Sequence, residues 1–501
     1  MLFNSFSFLI FFPAVVIAYY ALPHRARVLL LLLVSCFFYM AFVPQYILVL
    51  FFLITVDFFL GKAIEKREGS ERKMLLLLSV FANLGTLFFF KYFNFFNENV
   101  DAIAQFLNWN YSPLILSIAL PLGLSFHVFQ SLSYVIEVYR RRYGAEKNIL
   151  TYALYVMFFP QLVAGPIERP GHLIPQFRQE HTFDAERIRS GLERMLWGFF
   201  KKIVIADNLA SYVNPVYLSP DEHSGLALLL ATVFFAFQVY CDFSGYSDIA
   251  VGSAKVLGYD LTINFNRPFF SSSIAEFWRR WHISLSNWLR DYVYYPLALR
   301  KKGSVRYRIV SAVLITFVLV GLWHGAAWTF VAFGVLHGSF LAVGQLSERW
   351  RKKAVSFLGL SQLPKLMLLW KTLTTFALAC AGFVFFRAHS LSDAFLIFKG
   401  SFYGIGDAIS ATAASLWSVS AAPIQAVLQG VFEPAGRLHV LAYIAMIAVF
   451  VAVEYADSRL DLAKKIHVSP AWFRYALYAF ATLALMNLGV THEIPFIYFQ
   501  F

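Results

Sequence analysis

Long apolar runs separated by short basic clusters recur along the whole chain. The runs are residues 7–22, 28–42, 46–61, 74–96, 112–139, 309–324, 327–346, 368–387, 439–456 and 472–490. An α-helix needs roughly 17 to 25 apolar residues to cross a bilayer core of about 30 Å, and most of these runs approach or reach that length. The pattern predicts an all-α polytopic membrane protein whose first run is a retained span rather than a cleaved signal peptide.

Basic residues cluster between the runs and predict the orientation of the helices. By the positive-inside rule the clusters face the cytoplasm; they occupy residues 24–27, 62–73, 140–147, 178–202, 279–308, 349–353 and 459–474. The segment 97–111 carries two acidic residues and no Lys or Arg, which fits the opposite side. This orientation predicts that the N-terminus, a 388–437 loop with a mobile Ala/Ser-rich middle, and the C-terminal tail 491–501 lie outside.

Proline and glycine interrupt the apolar pattern between residues 149 and 300. The interruptions are Pro160, Gly165, Pro166, Pro170, Pro175 and Pro268. Lipid cannot satisfy the backbone groups that such breaks release, so this region must be buried in protein or line a cavity. We expect re-entrant or half-crossing helices there.

The composition agrees with a membrane protein and argues against nucleic-acid binding. Of the 501 residues, 59% are hydrophobic and 14% are charged, which lies outside the usual range of soluble domains. The net charge of +13 is divided among separate clusters, so membrane topology and lipid headgroups explain it better than a nucleic-acid partner. The three cysteines, Cys36, Cys241 and Cys380, lie in apolar surroundings and are expected to pack in the core rather than form disulfides.

Two histidines interrupt the stretch WHGAAWTFVAFGVLH, residues 323–337. The apolar runs 309–324 and 327–346 lie between two basic clusters, so this pair of helices begins and ends on the cytoplasmic side. His324 is therefore far from the cytoplasmic surface. Ionisable residues within spans are costly and often mark functional paths, and imidazole transfers protons near neutral pH. His324 is therefore a candidate for proton transfer, with a hydrogen bond across a helix pair as the equal alternative. For His337 we expect packing.

Neither the histidine spacing nor the neighbouring FQVYCDFSGYSD segment matches a tetrahedral metal site, so no metal is expected. Three acidic residues fall inside apolar runs: Asp57, Asp242 and Asp248. They keep an ion or proton pathway, and hence a transporter or flippase, as the alternative function. Asp57 and Asp248 can also simply cap helices or bond neighbours.

Residues 267–297 predict an interfacial amphipathic helix with aromatic residues at headgroup level. Apolar side chains recur every three to four positions, at Phe277, Trp281, Leu285 and Trp288, whereas the arginines fall elsewhere. On the cytoplasmic side, Arg279 and Arg280, together with Trp281, are candidates for binding the phosphates of an acyl donor such as coenzyme A. Lipid anchoring is the alternative for each arginine. His282 follows an aromatic residue and can turn inward toward His324.

Four motifs in this order resemble the membrane-bound O-acyltransferase family. They are FFPQLVAGPIERP (158–170), FQVYCDFSGYSDIAVG (237–252), NFNRPFFSSSIAEFWRRWHISLSNWLRDYVYYPL (264–297) and LVGLWHGAAWTFVAFGVLHG (319–338). Within the family, the chain is most similar to the bacterial branch that contains the alginate and peptidoglycan O-acetyltransferase membrane subunits and the teichoic acid D-alanyl transfer protein.

The resemblance implies a fold and a pair of histidines. The family fold is a ring of transmembrane helices, here about eleven, with re-entrant and interfacial helices around a thinned centre. It implies one membrane domain over residues 1–501 with a catalytic core at 264–346. The family's catalytic histidine falls on His324, and its second signature position falls on His282.

The tail FIYFQF is similar to a motif that, in the teichoic acid system, belongs to a separate partner whose tyrosine carries the acyl group outward. The resemblance thus implies an acyl-carrier role for Tyr498, with aromatic packing at the interface as the alternative. It implies O-acetyl transfer from acetyl-coenzyme A across the inner membrane, and a periplasmic acetyltransferase-like partner that modifies alginate, peptidoglycan or another polymer. The sequence does not distinguish among these acceptors.

Overall fold

The computed structural model describes residues 1–301, 304–418, 420–490 and 494–497, and their regular secondary structure is helical. The α-helices of these residues are α1 Phe6–Ala21, α2 His24–Met40, α3 Ile47–Lys66, α4 Gly69–Leu87, α5 Phe93–Phe106, α6 Leu124–Tyr139, α7 Ile149–Met157, α8 Pro170–Phe177, α9 Ala185–Phe199, α10 Asp207–Leu218, α11 Gly225–Leu257, α12 Ile274–Arg280, α13 Ile283–Leu289, α14 Tyr295–Ala298, α15 Val305–His324, α16 Trp328–Leu346, α17 Glu348–Phe357, α18 Pro364–Arg387, α19 Leu391–Ser418, α20 Ala422–Phe432, α21 Arg437–Leu460, α22 Leu462–Val468 and α23 Ala471–Leu488.

Seven helical segments among the described residues are long and apolar enough to cross a membrane. They are Pro44–Lys66, Gly69–Phe106, Gly225–Leu257, Val305–His324, Trp328–Leu346, Pro364–Arg387 and Arg437–Leu460. Shorter apolar helices, α1 and α20, accompany them. The prediction of an all-α polytopic membrane protein is confirmed, whereas the count of about eleven crossings stays a prediction.

The chain forms two compact units that interleave along the sequence. Among the described residues, the first unit comprises Met1–Met195 and Tyr246–Asn264, and the second comprises Leu196–Gly245 and Phe265–Ile497. Neither unit is one continuous segment, and the single domain over 1–501 stays a prediction.

In the first unit, a buried carboxylate joins α3 to α4. Asp57 accepts a hydrogen bond from Ser79 Oγ at 2.5 Å and from Asn83 Nδ2 at 2.8 Å. A buried carboxylate is costly unless hydrogen bonds satisfy it. Asp57 therefore bonds its neighbours, the structural alternative to an ion pathway. Asp248 likewise pairs with Arg194 Nε at 2.9 Å.

The proline-rich motif at 158–170 is almost wholly buried in the first unit, as the breaks in its pattern predicted. In this motif, the carboxylate of Glu168 accepts hydrogen bonds from the Thr262 amide at 2.5 Å and from His172 Nδ1 at 2.6 Å. The Tyr155 hydroxyl donates to the Glu168 carbonyl at 2.8 Å. The Tyr155 hydroxyl thus satisfies a backbone carbonyl in this irregular segment, and the other two donors satisfy the buried carboxylate.

The His172–Glu168 pair predicts a pH-dependent contribution to stability. The hydrogen bond that His172 donates to the Glu168 carboxylate raises the pKa of His172, which lies in the short helix α8 with its side chain about half exposed. A histidine whose pKa is higher in the folded state stabilises the fold at pH values below its pKa in the unfolded state, about 6.5. This contribution is lost as the pH rises through the pKa of the folded state. The melting-temperature difference between wild type and His172→Gln should therefore shrink from pH 6 to pH 9.

The matched control is His439→Gln, which removes an exposed histidine bonded to a backbone carbonyl instead of a carboxylate. Its melting-temperature difference should change less over the same pH range. A His172→Gln difference that stays constant with pH would contradict the pair's contribution.

Two predictions about helix boundaries are wrong. The predicted external loop 388–437 contains α19 and α20, because its alanines have the highest intrinsic helix propensity and no proline interrupts residues 391–418. The predicted run 112–139 becomes helical only at Leu124. Pro113 and Pro121 precede that residue, and proline disfavours the helical conformation in the residue before it.

Candidate active site

The WHGAAW motif lies in a hairpin formed by α15 and α16 in the second unit. His324 is the last residue of α15, and Gly325 and Ala327 have extended backbone before α16 begins at Trp328. A Cβ on Gly325 would lie 2.0 Å from the Phe330 ring, so only glycine fits at this turn. The small residues of WHGAAW thus let the chain reverse directly behind the histidine.

A second glycine brings the two helices of the hairpin into close contact. A Cβ on Gly334 would lie 2.2 Å from the Phe317 carbonyl oxygen, whereas a Cβ on Gly344 of the same helix would contact nothing within 4 Å. Gly334→Ala should therefore destabilise the protein by about 1–3 kcal/mol through overpacking, as measured by thermal unfolding in detergent. Gly344→Ala is the matched control and should be neutral or slightly stabilising. Equal effects of the two substitutions would contradict this account.

The predicted amphipathic helix over 267–297 is wrong, because the segment breaks at His282. This residue adopts the left-handed conformation with φ of 42° between α12 and α13. A non-glycine residue pays about 1–3 kcal/mol for such strain. The apolar side chains of the segment are buried in protein instead of lying at headgroup level: Phe277, Trp281, Leu285 and Trp288. The break turns His282 inward.

The structure brings the two predicted histidines into one buried site. The ring centroids of His282 and His324 lie 6.5 Å apart, and both residues are buried. Trp323 lies beside both rings, at 5.5 Å from His282 and 4.9 Å from His324. Phe386 of α18 packs edge-on to His324 at 5.0 Å, and Phe243 of α11 packs edge-on to His282 at 4.6 Å. Aromatic rings therefore enclose both imidazoles.

His337 packs in an aromatic cluster, in agreement with the prediction. Trp278 Nε1 donates to His337 Nδ1 at 3.3 Å, and Phe333 lies 4.7 Å from the imidazole. A Cβ on Gly382 of α18 would lie 2.1 Å from His337 Nε2. The ring is thus fixed from three sides and holds α16 against its neighbours.

The three candidate donor-binding residues differ in their surroundings. Arg279 is exposed, and Arg280 is half-buried and forms a salt bridge with Glu276 at 2.6 Å. Trp281 is buried and stacks on Phe277 at 5.3 Å. The arginines therefore have access to a charged ligand, whereas Trp281 supports the site from inside.

Sequence reasoning missed a buried charged cluster beside this site. Residues 201 and 202 belong to the predicted cytoplasmic cluster 178–202, yet both lysines are buried. Lys202 Nζ lies 2.7 Å from carboxylate oxygens of both Asp207 and Asp242. The presence of Asp242 in an apolar run was the available signal, but nothing in the sequence paired it with Lys202.

The C-terminal segment reaches the same cluster. The Ile497 amide donates to Asp242 Oδ2 at 3.0 Å, and the Phe496 ring lies 5.4 Å from Phe243. Phe243 therefore contacts both the tail and His282. Tyr498 follows directly in the sequence and lies outside the described residues.

Comparison with known proteins identifies the family and several relatives of this chain. The model of the membrane-bound O-acyltransferase family matches residues 144–358, which include both histidines. The probable alginate O-acetylase AlgI of Azotobacter vinelandii is 37% identical over 80% of this chain and 78% of its own length. The peptidoglycan O-acetyltransferase of Helicobacter pylori is 34% identical over 80% and 79%. The teichoic acid D-alanyltransferase of Bacillus subtilis is 28% identical over 46% and 60%.

The helices define a multi-pass membrane protein, and its second unit holds two buried histidines in one aromatic site. The extended identity to acyl-transferring relatives defines its class further: the chain belongs to the membrane-bound O-acyltransferase family and is an acyltransferase. The transporter alternative is thereby set aside. In the part of the chain that the structure describes, no group of three or more His, Cys, Asp or Glu side chains is placed to hold a metal ion.

Proposed function

We propose that the protein transfers an acetyl group from a cytoplasmic thioester, acetyl-coenzyme A, across the inner membrane for O-acetylation of a polymer outside. The observation that carries the proposal is the enclosure of His282 and His324 in one aromatic site. Alginate is the favoured acceptor, because the relatives named for it share up to 38% identity with this chain. Peptidoglycan is the second candidate, on the Helicobacter pylori relative.

In this mechanism His324 is the general base. It accepts the proton of the attacking hydroxyl while the oxygen adds to the thioester carbonyl, and coenzyme A leaves as the thiol after it regains a proton. His282 orients the donor or stabilises the charge that develops on the carbonyl oxygen. Enclosure by aromatic rings supports these roles because it excludes water, which would otherwise hydrolyse the thioester.

Arg279 and Arg280 bind the donor's phosphates, because guanidinium groups form charge-assisted hydrogen bonds with phosphate. The exposure of Arg279 and the partial exposure of Arg280, next to the helix break at His282, support this role. Trp281 contributes from inside the protein, where its ring is buried and stacks on Phe277. No residue among these three needs to contact the reacting carbonyl.

Tyr498 is the acceptor of the acetyl group and holds it as an ester on the outer side. A periplasmic acetyltransferase-like partner then passes the acetyl group to the polymer hydroxyl. Anchoring of Ile497 at Asp242 and packing of Phe496 on Phe243 support this role, since they fix the chain immediately before Tyr498.

Donor consumption by the purified protein tests the proposal. Full-length protein in nanodiscs is incubated with acetyl-coenzyme A labelled in the acetyl group, and free thiol release and labelled protein are measured. We expect thiol release coupled to hydroxylamine-sensitive labelling of the C-terminal peptide. Absence of both thiol release and labelling would refute acetyl-coenzyme A as the donor.

A further inference from the structure

We infer that Lys202 and Asp242 form a seat for the C-terminal tail, with Asp242 acting as a positioning residue for acyl transfer. The seat is the pair Lys202 and Asp242, with Asp207 as the second carboxylate bound to Lys202. The inference rests on the proposed function, because it explains how the segment that precedes the acyl carrier is held. All contacts that carry it lie within the second unit.

The two oxygens of the Asp242 carboxylate contact different groups. Lys202 Nζ lies 2.7 Å from Asp242 Oδ1, and the Ile497 amide donates to Asp242 Oδ2 at 3.0 Å. The side chains of Lys202, Asp207 and Asp242 are at most 6% exposed. Water therefore cannot readily take the place of the Ile497 amide.

The balance of charge explains why the seat needs the tail. Lys202 also lies 2.7 Å from Asp207, so two carboxylates share one ammonium group. A buried carboxylate that is only partly paired needs further hydrogen-bond donors. The Ile497 amide is such a donor for Asp242, and its loss would leave the Oδ2 lone pairs without that contact. The hydrogen bond that holds the tail therefore also satisfies the buried carboxylate of Asp242.

The segment that carries the seat also holds the start of the tail. Asn208 Nδ2 donates to the Leu488 carbonyl at 2.8 Å, and the Val490 amide lies 3.4 Å from the Ile203 carbonyl. These contacts come from a wide helical turn at Phe200–Ala206 and the first residues of α10. Such π-type turns expose backbone carbonyls and are frequent at functional sites. The start of the tail therefore contacts Ile203 and Asn208, and Ile497 contacts Asp242, the partner of Lys202.

The substitution Asp242→Asn separates the positioning of the tail from the folding of the protein. Both Lys202 and the Ile497 amide are donors, whereas an asparagine side chain has one acceptor oxygen and one donor nitrogen. Asp242→Asn therefore must give up one of the two contacts. The one acceptor oxygen faces Lys202, because a hydrogen bond from an ammonium group is stronger than one from a backbone amide, so the Ile497 amide loses its acceptor. Lys202 keeps Asp207 as a partner, so the substitution leaves no unpaired buried cation and should be tolerated by the fold.

Hydrogen exchange of the tail in the full-length protein in nanodiscs tests the seat directly. The amide of Ile497, followed in peptides that contain it, should be protected in wild type and exchange about tenfold faster or more in Asp242→Asn, in keeping with a lost hydrogen bond to a charged group. Asp57→Asn is the matched control, because it neutralises another fully buried carboxylate that contacts Ser79 and Asn83. Its tail should exchange like wild type. Unchanged exchange in Asp242→Asn overturns the inference.

Acyl transfer provides the second readout. We expect Asp242→Asn to lower the rate of acetyl incorporation into the tail about tenfold or more, with the KM for acetyl-coenzyme A unchanged. An effect on KM with no effect on tail exchange would assign Asp242 to the donor site and overturn the seat. Full activity of Tyr498→Phe together with a released tail in Asp242→Asn would refute the acyl carrier and leave the seat intact. The two failures are thus distinguishable.

Discussion

His324→Ala should lower acetyl transfer by at least about 10²–10⁴-fold, the range that general base catalysis supplies. The imidazole is buried at the end of α15 beside Trp323, Phe333 and Phe386, and alanine at this position cannot accept the proton of the attacking hydroxyl. The measurement is thiol release from acetyl-coenzyme A together with the acetyl content of the surface polymer. Protein abundance in membranes should stay at the wild-type level.

The matched control is His337→Asn on the same hairpin. Asparagine keeps an acceptor near the position of His337 Nδ1, so the hydrogen bond from Trp278 can persist. We expect activity to remain within a few-fold of wild type, in proportion to any loss of stability. Normal acetylation in His324→Ala, or an equal loss in both variants, would remove His324 from the role of general base.

Tyr498→Phe should abolish acetylation of the polymer while leaving the aromatic ring of the tail in place. Only the hydroxyl that would carry the acetyl ester is removed, so packing at a membrane interface is preserved. Mass spectrometry of the C-terminal peptide should show an acetyl adduct in wild type and none in this variant.

Tyr475→Phe serves as the control for this substitution, because Tyr475 is an exposed tyrosine on α23. We expect its activity and its C-terminal acetyl adduct to match wild type. Full activity of Tyr498→Phe would favour the packing role of the tail and refute the acyl carrier.

The hydrophobic pattern predicted most of the helices because the bilayer imposes a length and a composition on each span. The predicted runs at 309–324 and 327–346 correspond closely to α15 and α16. The pattern failed where a different property decides the structure. A stretch with several alanines, such as α19, can be helical without the long apolar run that marks a membrane span. Before α6, two prolines move the start of the helix to a later residue than the apolar run predicts.

The sequence also indicated His282 and His324: His324 is an imidazole in an apolar run, and the family resemblance implied a role for both positions. It did not predict the break that turns His282 inward, since a left-handed residue other than glycine has no reliable local signal. Trp281 illustrates the same limit: its position beside two arginines suggests a surface role, yet its ring is buried against Phe277.

By itself, then, the sequence determined the class of protein, the membrane helices and the identity of the two histidines, because hydrophobicity and motif spacing are local properties. Only the tertiary structure paired Lys202 with Asp242 and brought the Ile497 amide to the same carboxylate. These partners are separated by 40 and 255 positions in the chain. Contacts between residues so far apart depend on how the helices pack, and a pattern of apolar and polar positions carries no record of that packing.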